Sequence, residues 1–187
     1  MNRILEAVEQ SKNMLVDYVP HSLALGFVVV DAKPGETWLK VPWNEKFIGN
    51  PQSGVLHGGV ITTVLDNCAG VSVATALAEM RAIATLDLRI DYMKPATPGR
   101  DVIGWTRCYK VGRNVAFVRG AAYHDDPDDP IATTAMTMML GPAYGPSGGP
   151  GAAGPASGSA PDAAAGTAGS EGIASTDTTV APRGEPS

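Results

Sequence analysis

The run GVLHGGVITTVLDNCAG, residues 54–70, carries one carboxylate, Asp66, inside a stretch otherwise fit for a protein interior. An acid there is either satisfied structurally, by Thr62 or a neighbouring chain, or it faces something that must approach closely: a ligand, another chain, or both. Eight residues earlier stand Gly58 and Gly59, directly after His57. If a helix starts there, its first N–H groups have no partner within the helix and sit at the positive end of its macrodipole. With no side chains in the way, a polarised oxygen could come up to them, which is the physics of an oxyanion site. Close strand packing would account for the glycine pair equally well.

The element that must position these groups is a helix predicted from Gly58 to about Met80. Steps of about 100° per residue put Gly59, Thr62, Thr63, Asp66, Gly70 and Val73 along one side. Ile61, Val64, Leu65, Cys68, Val71 and Thr75 fall on the other, which reads as core. At about 1.5 Å per residue, Gly58 and Asp66 lie roughly 12 Å apart along the axis, too far for one carbonyl to touch both. A site using both groups therefore needs two such helices running antiparallel across a two-fold axis, with two equivalent sites per dimer. Gly59–Ala78 also has the length of a membrane span, but Asp66 near its midpoint is expensive in hydrocarbon, and the reading is a buried helix.

Around this helix the sequence predicts a short amphipathic helix over 3–18, ended by Pro20, and a strand over 23–32. A turn at Lys33-Pro34-Gly35-Glu36 leads into a second strand, in which Thr37, Leu39 and Val41 alternate with Trp38 and Lys40. Residues 44–56 read as a loop. After the long helix come four strands, over 83–93, 101–111, 114–123 and 131–140, the middle two joined at Gly112-Arg113. In the first of these, Leu86, Leu88, Ile90 and Tyr92 share one face, and Asp87, Arg89 and Asp91 form a charge ladder on the other. Polar outer faces and short turns indicate an antiparallel sheet, so the class is α+β. The domain plan is an N-terminal helix (1–19), a folded domain (20–140) and a tail (141–187) too rich in Gly, Pro, Ala and Ser to order itself.

Composition narrows the partners. A net charge of −5 offers no basic stripe for nucleic acid. Cys68 and Cys108 have neither disulfide nor zinc spacing and read as free thiols. Asp125, Asp126, Asp128 and Asp129 lack the ligand spacing of a calcium loop, and His21 and His124 are isolated. The stretch MNRILEAVEQSK carries charges through its apolar positions and does not read as a signal peptide, so the cytoplasm is the default expectation.

Together with ATLDLRIDYMKPATPG and GWTRCYKVGRNVAFVRGAAYHD, the 54–70 run resembles the hotdog-fold acyl-CoA thioesterases of the phenylacetate-pathway (PaaI-like) type, over about residues 20–140. The resemblance implies a curved antiparallel sheet around one long helix, assembled as a homodimer or homotetramer, acting on an acyl-CoA without metal or cofactor and without membrane or nucleic-acid partners. It implies that Asp66 is the catalytic carboxylate, as base or nucleophile, and that the amide of Gly58, with Gly59 beside it, polarises the thioester carbonyl. His57 then shapes the turn and contacts the substrate region, and Thr85 orients the attacking water. Lys110 and Arg113, flanking a hairpin turn, are placed to meet coenzyme A phosphates, or simply to be solvated. Relatives often carry an Asn six residues before the His; here that position is Pro51, and Asn50 stands one residue away. Two other functions keep the fold: an acyl-thioester dehydratase or hydratase using His57 with Asp66, and a non-catalytic acyl-CoA-binding module.

Overall fold

Alternation shapes the sheet. Thr37, Leu39 and Val41 are fully buried, while Glu36, Trp38 and Lys40 point to the other face. A computed structural model describes Val16 and residues 19–143. The elements run α1 (Pro20–Ala24), β1 (Val28–Lys33), β2 (Glu36–Val41), a single 3-10 turn (Glu45–Phe47), β3 (Ile48–Asn50), β4 (Val55–Leu56), α2 (Gly58–Ala76), β5 (Arg81–Tyr92), β6 (Val102–Val111), β7 (Val115–Tyr123) and β8 (Ala132–Ala143). The helix predicted over 3–18 lies outside the described residues except at Val16, which is buried in the core. The predicted tail lies outside them beyond residue 143.

Six strands form one antiparallel sheet in the order β1-β2-β6-β7-β8-β5, and β3 pairs only with β4. Helix α2 contacts all six strands of the large sheet. Strands about 4.8 Å apart would spread a flat sheet of this size over about 24 Å, twice the width of a helix. Contact with every strand therefore requires the sheet to curl around α2, and this is the predicted hotdog architecture. Val64, Leu65 and Cys68 of the helix join Leu39, Val102, Val118 and Met138 of the sheet in one core. Gly104 on β6 lets α2 come close, since a Cβ there would lie 3.3 Å from Val64 Cγ2.

Several boundaries differ from the sequence reading for identifiable reasons. Pro20 opens α1, a position where its missing N–H costs nothing, and the end of the helix predicted before it lies outside the described residues. The predicted 23–32 strand accordingly shrinks to β1. Helix α2 ends at Ala76, four residues short of Met80, because Leu77 turns extended and enters the core. Strand β8 runs on to Ala143, held by the Arg81 side chain, which donates to the Gly141 carbonyl at 2.8 Å.

The largest correction concerns β5. Its ladder with β8 pairs Thr85 with Met138 and Asp87 with Thr137, leaving Leu86 as an extra residue in a β-bulge. Leu86 therefore leaves the face it was assigned and is 57% exposed. Beyond the bulge Leu88 and Ile90 pack against the core as read. Before it, the inward place falls to Thr85.

Burial pushes the Cys68 thiol from 9.0 up to about 12. The same residue ionises near 9.0 when unfolded, so the folded state loses stability as pH rises from about 9 towards about 12. In native protein near pH 8 the expected outcome is that a chromogenic disulfide titrates Cys108 slowly and leaves Cys68 untouched. Denaturant should then release the second thiol. Prompt reaction of both thiols in the native state would contradict the burial of Cys68.

Candidate active site

Gly59, Thr62, Thr63, Asp66 and Gly70 occupy the half-buried side of α2, as the helical spacing predicts, whereas Val73 belongs to the core. Thr62 and Thr63 do not satisfy the acid. Their hydroxyls donate back to the carbonyls of Gly58 and Gly59, at 3.2 and 2.7 Å. The partner of Asp66 is Thr85, whose hydroxyl donates to Oδ1 at 2.7 Å. Among the described residues the other carboxylate oxygen accepts no hydrogen bond, and it stays available to a water or a substrate.

His57 is the N-cap of α2, and its Nδ1 accepts the Gly59 N–H at 3.0 Å. In the neutral ring the proton then lies on Nε2. This engages one of the two glycine amides that the sequence left open. A Cβ on Gly59 would sit 2.8 Å from that same Nδ1, so the glycine makes room for the cap. The Gly58 N–H has no partner among the described residues. His57 stands nine residues before Asp66, so one chain does not make the pairing that a dehydratase would use.

Tyr92 was absent from the sequence reading of the site. Its hydroxyl donates to the Gly58 carbonyl at 2.7 Å and lies 3.1 Å from the Thr62 hydroxyl. A tyrosine on the inward face of a strand, where apolar residues precede it, was the one available signal. Val55, Leu56, Gly58, Ile61, Tyr92 and Ala96 line a cavity of about 340 Å³ at the helix start. The loop behind Ala96 is braced by His124, whose Nε2 accepts from Thr97 N–H at 2.9 Å and whose Nδ1 faces the Asp101 carbonyl at 2.7 Å.

The remaining candidates have other immediate duties. Asn50 accepts the Gln52 N–H at 2.9 Å through Oδ1, and its carbonyl receives Ser53 and Gly54, which turns β3 into β4. That hairpin packs against the cap, since a Cβ on Gly49 would fall 2.8 Å from His57 Cα. Lys110 and Arg113 are exposed on the β6–β7 hairpin. Arg81, at the start of β5, donates to the Arg113 carbonyl, so this hairpin lies at the opposite end of β5 from Tyr92 and Gly58. In the aspartate-rich loop, Asp125 pairs with Arg100 and Asp129 with Lys94. Among the described residues no His, Cys, Asp or Glu group is arranged to hold a metal ion.

The cap has a measurable weight. His57→Ala should lower unfolding stability by about 0.5–2 kcal/mol in urea titration, and His57→Asn, which restores an acceptor, should recover most of it. Equal stability in both variants would show that the Gly59 bond contributes nothing.

Residues 53–131 match the family described as the thioesterase superfamily. The medium/long-chain acyl-CoA thioesterase YigI of Salmonella typhimurium is 29% identical over 157 residues, 75% of this chain and 100% of YigI. A Halobacterium salinarum protein is 37% identical over 94 residues, and that match spans only 61% of its length and 49% of this chain. Among solved structures, a Pseudomonas aeruginosa protein is 43% identical with a TM-score of 0.63, over 73% of this chain and 98% of that one. A phenylacetic acid degradation-related protein from Ralstonia eutropha is 27% identical with a TM-score of 0.58, over 68% and 97%. Over residues 53–131 the chain carries a thioesterase-superfamily domain, and its fold is the hotdog fold of these structures.

Proposed function

We propose that this chain hydrolyses an acyl-CoA thioester to the free acid and coenzyme A. The observation that carries this reading is Asp66, held by Thr85 on the half-buried side of a helix whose first amide, Gly58, has no partner among the described residues. The match to the whole of YigI supports acyl-CoA as the substrate. The cavity beside Gly58 supports an apolar acyl group.

The thioester carbonyl oxygen accepts the Gly58 N–H at the positive end of α2, which stabilises the charge that develops there. Asp66 takes a proton from water while the water oxygen bonds to the acyl carbon. The tetrahedral intermediate collapses, the C–S bond breaks, and the coenzyme A thiolate leaves, recovering a proton from Asp66. Direct attack by Asp66, through an anhydride that water then opens, uses the same carboxylate in the same place. Thr85 keeps one carboxylate oxygen fixed in either route. Lys110 and Arg113 remain candidates for the coenzyme A phosphates, and Asn50 for the substrate side of the turn.

One chain separates Gly58 from Asp66 by about 12 Å of helix, so the proposed enzyme is a homodimer that joins the amide of one α2 to the acid of another. Among the described residues strand β5 ends the sheet with an unpaired edge and carries the exposed Leu86, with the exposed Met93 directly after it, which supports a second copy there.

The test follows thiol release from a panel of acyl-CoAs with a chromogenic disulfide. Wild-type release is expected, falling at least about 100-fold in Asp66→Asn and about tenfold in Thr85→Val, the loss of one hydrogen bond to a charged group. Turnover unchanged in Asp66→Asn would sink the mechanism. Binding of an acyl-CoA without any turnover would make the chain a binding module.

A further inference from the structure

We propose that Tyr92 is a positioning residue for the Gly58 amide; the inference rests on the function proposed above, in which that amide polarises the thioester carbonyl. Two consecutive glycines give a helix the most conformationally free start available. That freedom is the wrong property for a donor that stabilises a transition state by holding one direction.

The structure removes the freedom at two peptide units. In the His57–Gly58 unit the carbonyl accepts the Val60 N–H at 2.9 Å. In the Gly58–Gly59 unit the N–H is held by His57 Nδ1 at 3.0 Å, while the carbonyl accepts the Tyr92 hydroxyl at 2.7 Å and the Thr62 hydroxyl at 3.2 Å. A peptide unit is planar, so anchoring both its ends fixes its orientation. Of the four polar groups in these two units, three are tied down, and the Gly58 N–H alone is left to face a ligand.

The glycines are the condition for this arrangement. A Cβ on Gly58 would fall 3.1 Å from the Tyr92 hydroxyl oxygen, as one on Gly59 would fall 2.8 Å from His57 Nδ1. The spaces that look vacant in the sequence are filled by the two clamps. Tyr92 is the clamp from outside the helix. It comes from β5, the strand that also supplies Thr85 to Asp66, so one strand orients both the proposed base and the proposed amide of its own chain.

Tyr92→Phe keeps the ring and the cavity wall and removes only the hydroxyl. Two readouts decide. Amide hydrogen exchange, followed by NMR, is expected to speed up about tenfold at Gly59 and Thr62 while β6 and β7 stay protected. Turnover of the best acyl-CoA in the panel is expected to lose about 3- to 10-fold in kcat, the weight of one hydrogen bond, with KM within about twofold. Gly58→Ala is expected to lose less activity in the Tyr92→Phe background than in wild type, because the crowding hydroxyl is gone. Unchanged exchange, or a rise in KM with kcat intact, overturns the inference and leaves Tyr92 as a cavity wall. If wild type releases no thiol, the acyl-CoA reading fails by itself, and the exchange measurement alone decides whether Tyr92 holds the Gly58–Gly59 peptide.

Discussion

The hydrogen bond from Thr85 to Asp66 depends on one surplus residue in a strand. Side chains alternate strictly across a regular strand, so Thr85 would face away from Leu88, Ile90 and Tyr92. The bulge at Leu86 resets the alternation. Thr85 and the even-numbered residues beyond it then share the helix side, at the cost of exposing a leucine. Without that insertion β5 could bury its apolar residues or support the acid, but not both. Bulges are known to re-aim side chains near functional sites, and here the re-aimed side chain is the one that touches the carboxylate.

A second constraint operates at the other end of the same strand. A helix start offers unpaired N–H groups only while its backbone stays where it is. Among the described residues side chains satisfy every backbone polar group of Gly58 and Gly59 except one, through His57 from before the helix, Thr62 and Thr63 from within it and Tyr92 from the strand. The lone remaining donor among the described residues lies beside a cavity lined mainly by apolar residues, with Lys94 and Tyr92 at its wall. A helix N-terminal N–H held in one direction stabilises a developing oxyanion without having to reorganise. Cap, clamp and cavity therefore act together.

Much of this was legible in the sequence because the signals were periodic. The alternation of Thr37, Leu39 and Val41 and the helical spacing around Asp66 both follow from geometry that the backbone obeys almost without exception. The bulge was not legible. A single inserted residue leaves the pattern at Leu86, Leu88 and Ile90 looking regular, and only pairing with β8 shows that one of them is out of step. The glycine pair was half legible. Its lack of side chains was read as room for a ligand, whereas the room belongs to two protein groups, one of them 34 residues away in the chain. Pro20 opens a helix that the sequence pattern did not mark, since a proline is well suited to a first helical position. Contacts between residues distant in sequence were the information that periodicity could not carry.

The division of labour along β5 also bears on why the proposed reaction needs two chains. Tyr92 holds the helix start and Thr85 holds the acid, so under the proposed mechanism a single protomer would present two half-sites about 12 Å apart along one helix. Bending α2 to close that gap would break its packing against all six strands. Moving the acid nearer to Gly58 would take it away from Thr85. Neither the helix nor the strand can yield, and the economical solution is rotation: a two-fold axis through the polar side of α2 would bring the acid of one copy towards the amide of the next without changing either. The half-buried side of α2, with its small residues Gly59, Thr62, Thr63 and Gly70, is the part of the surface where such an approach costs least. In the proposed dimer Gly58 of one copy faces Asp66 of the other when the axis passes near residue 62, halfway between them, and Gly59, Thr62 and Thr63 are the small residues at that crossing.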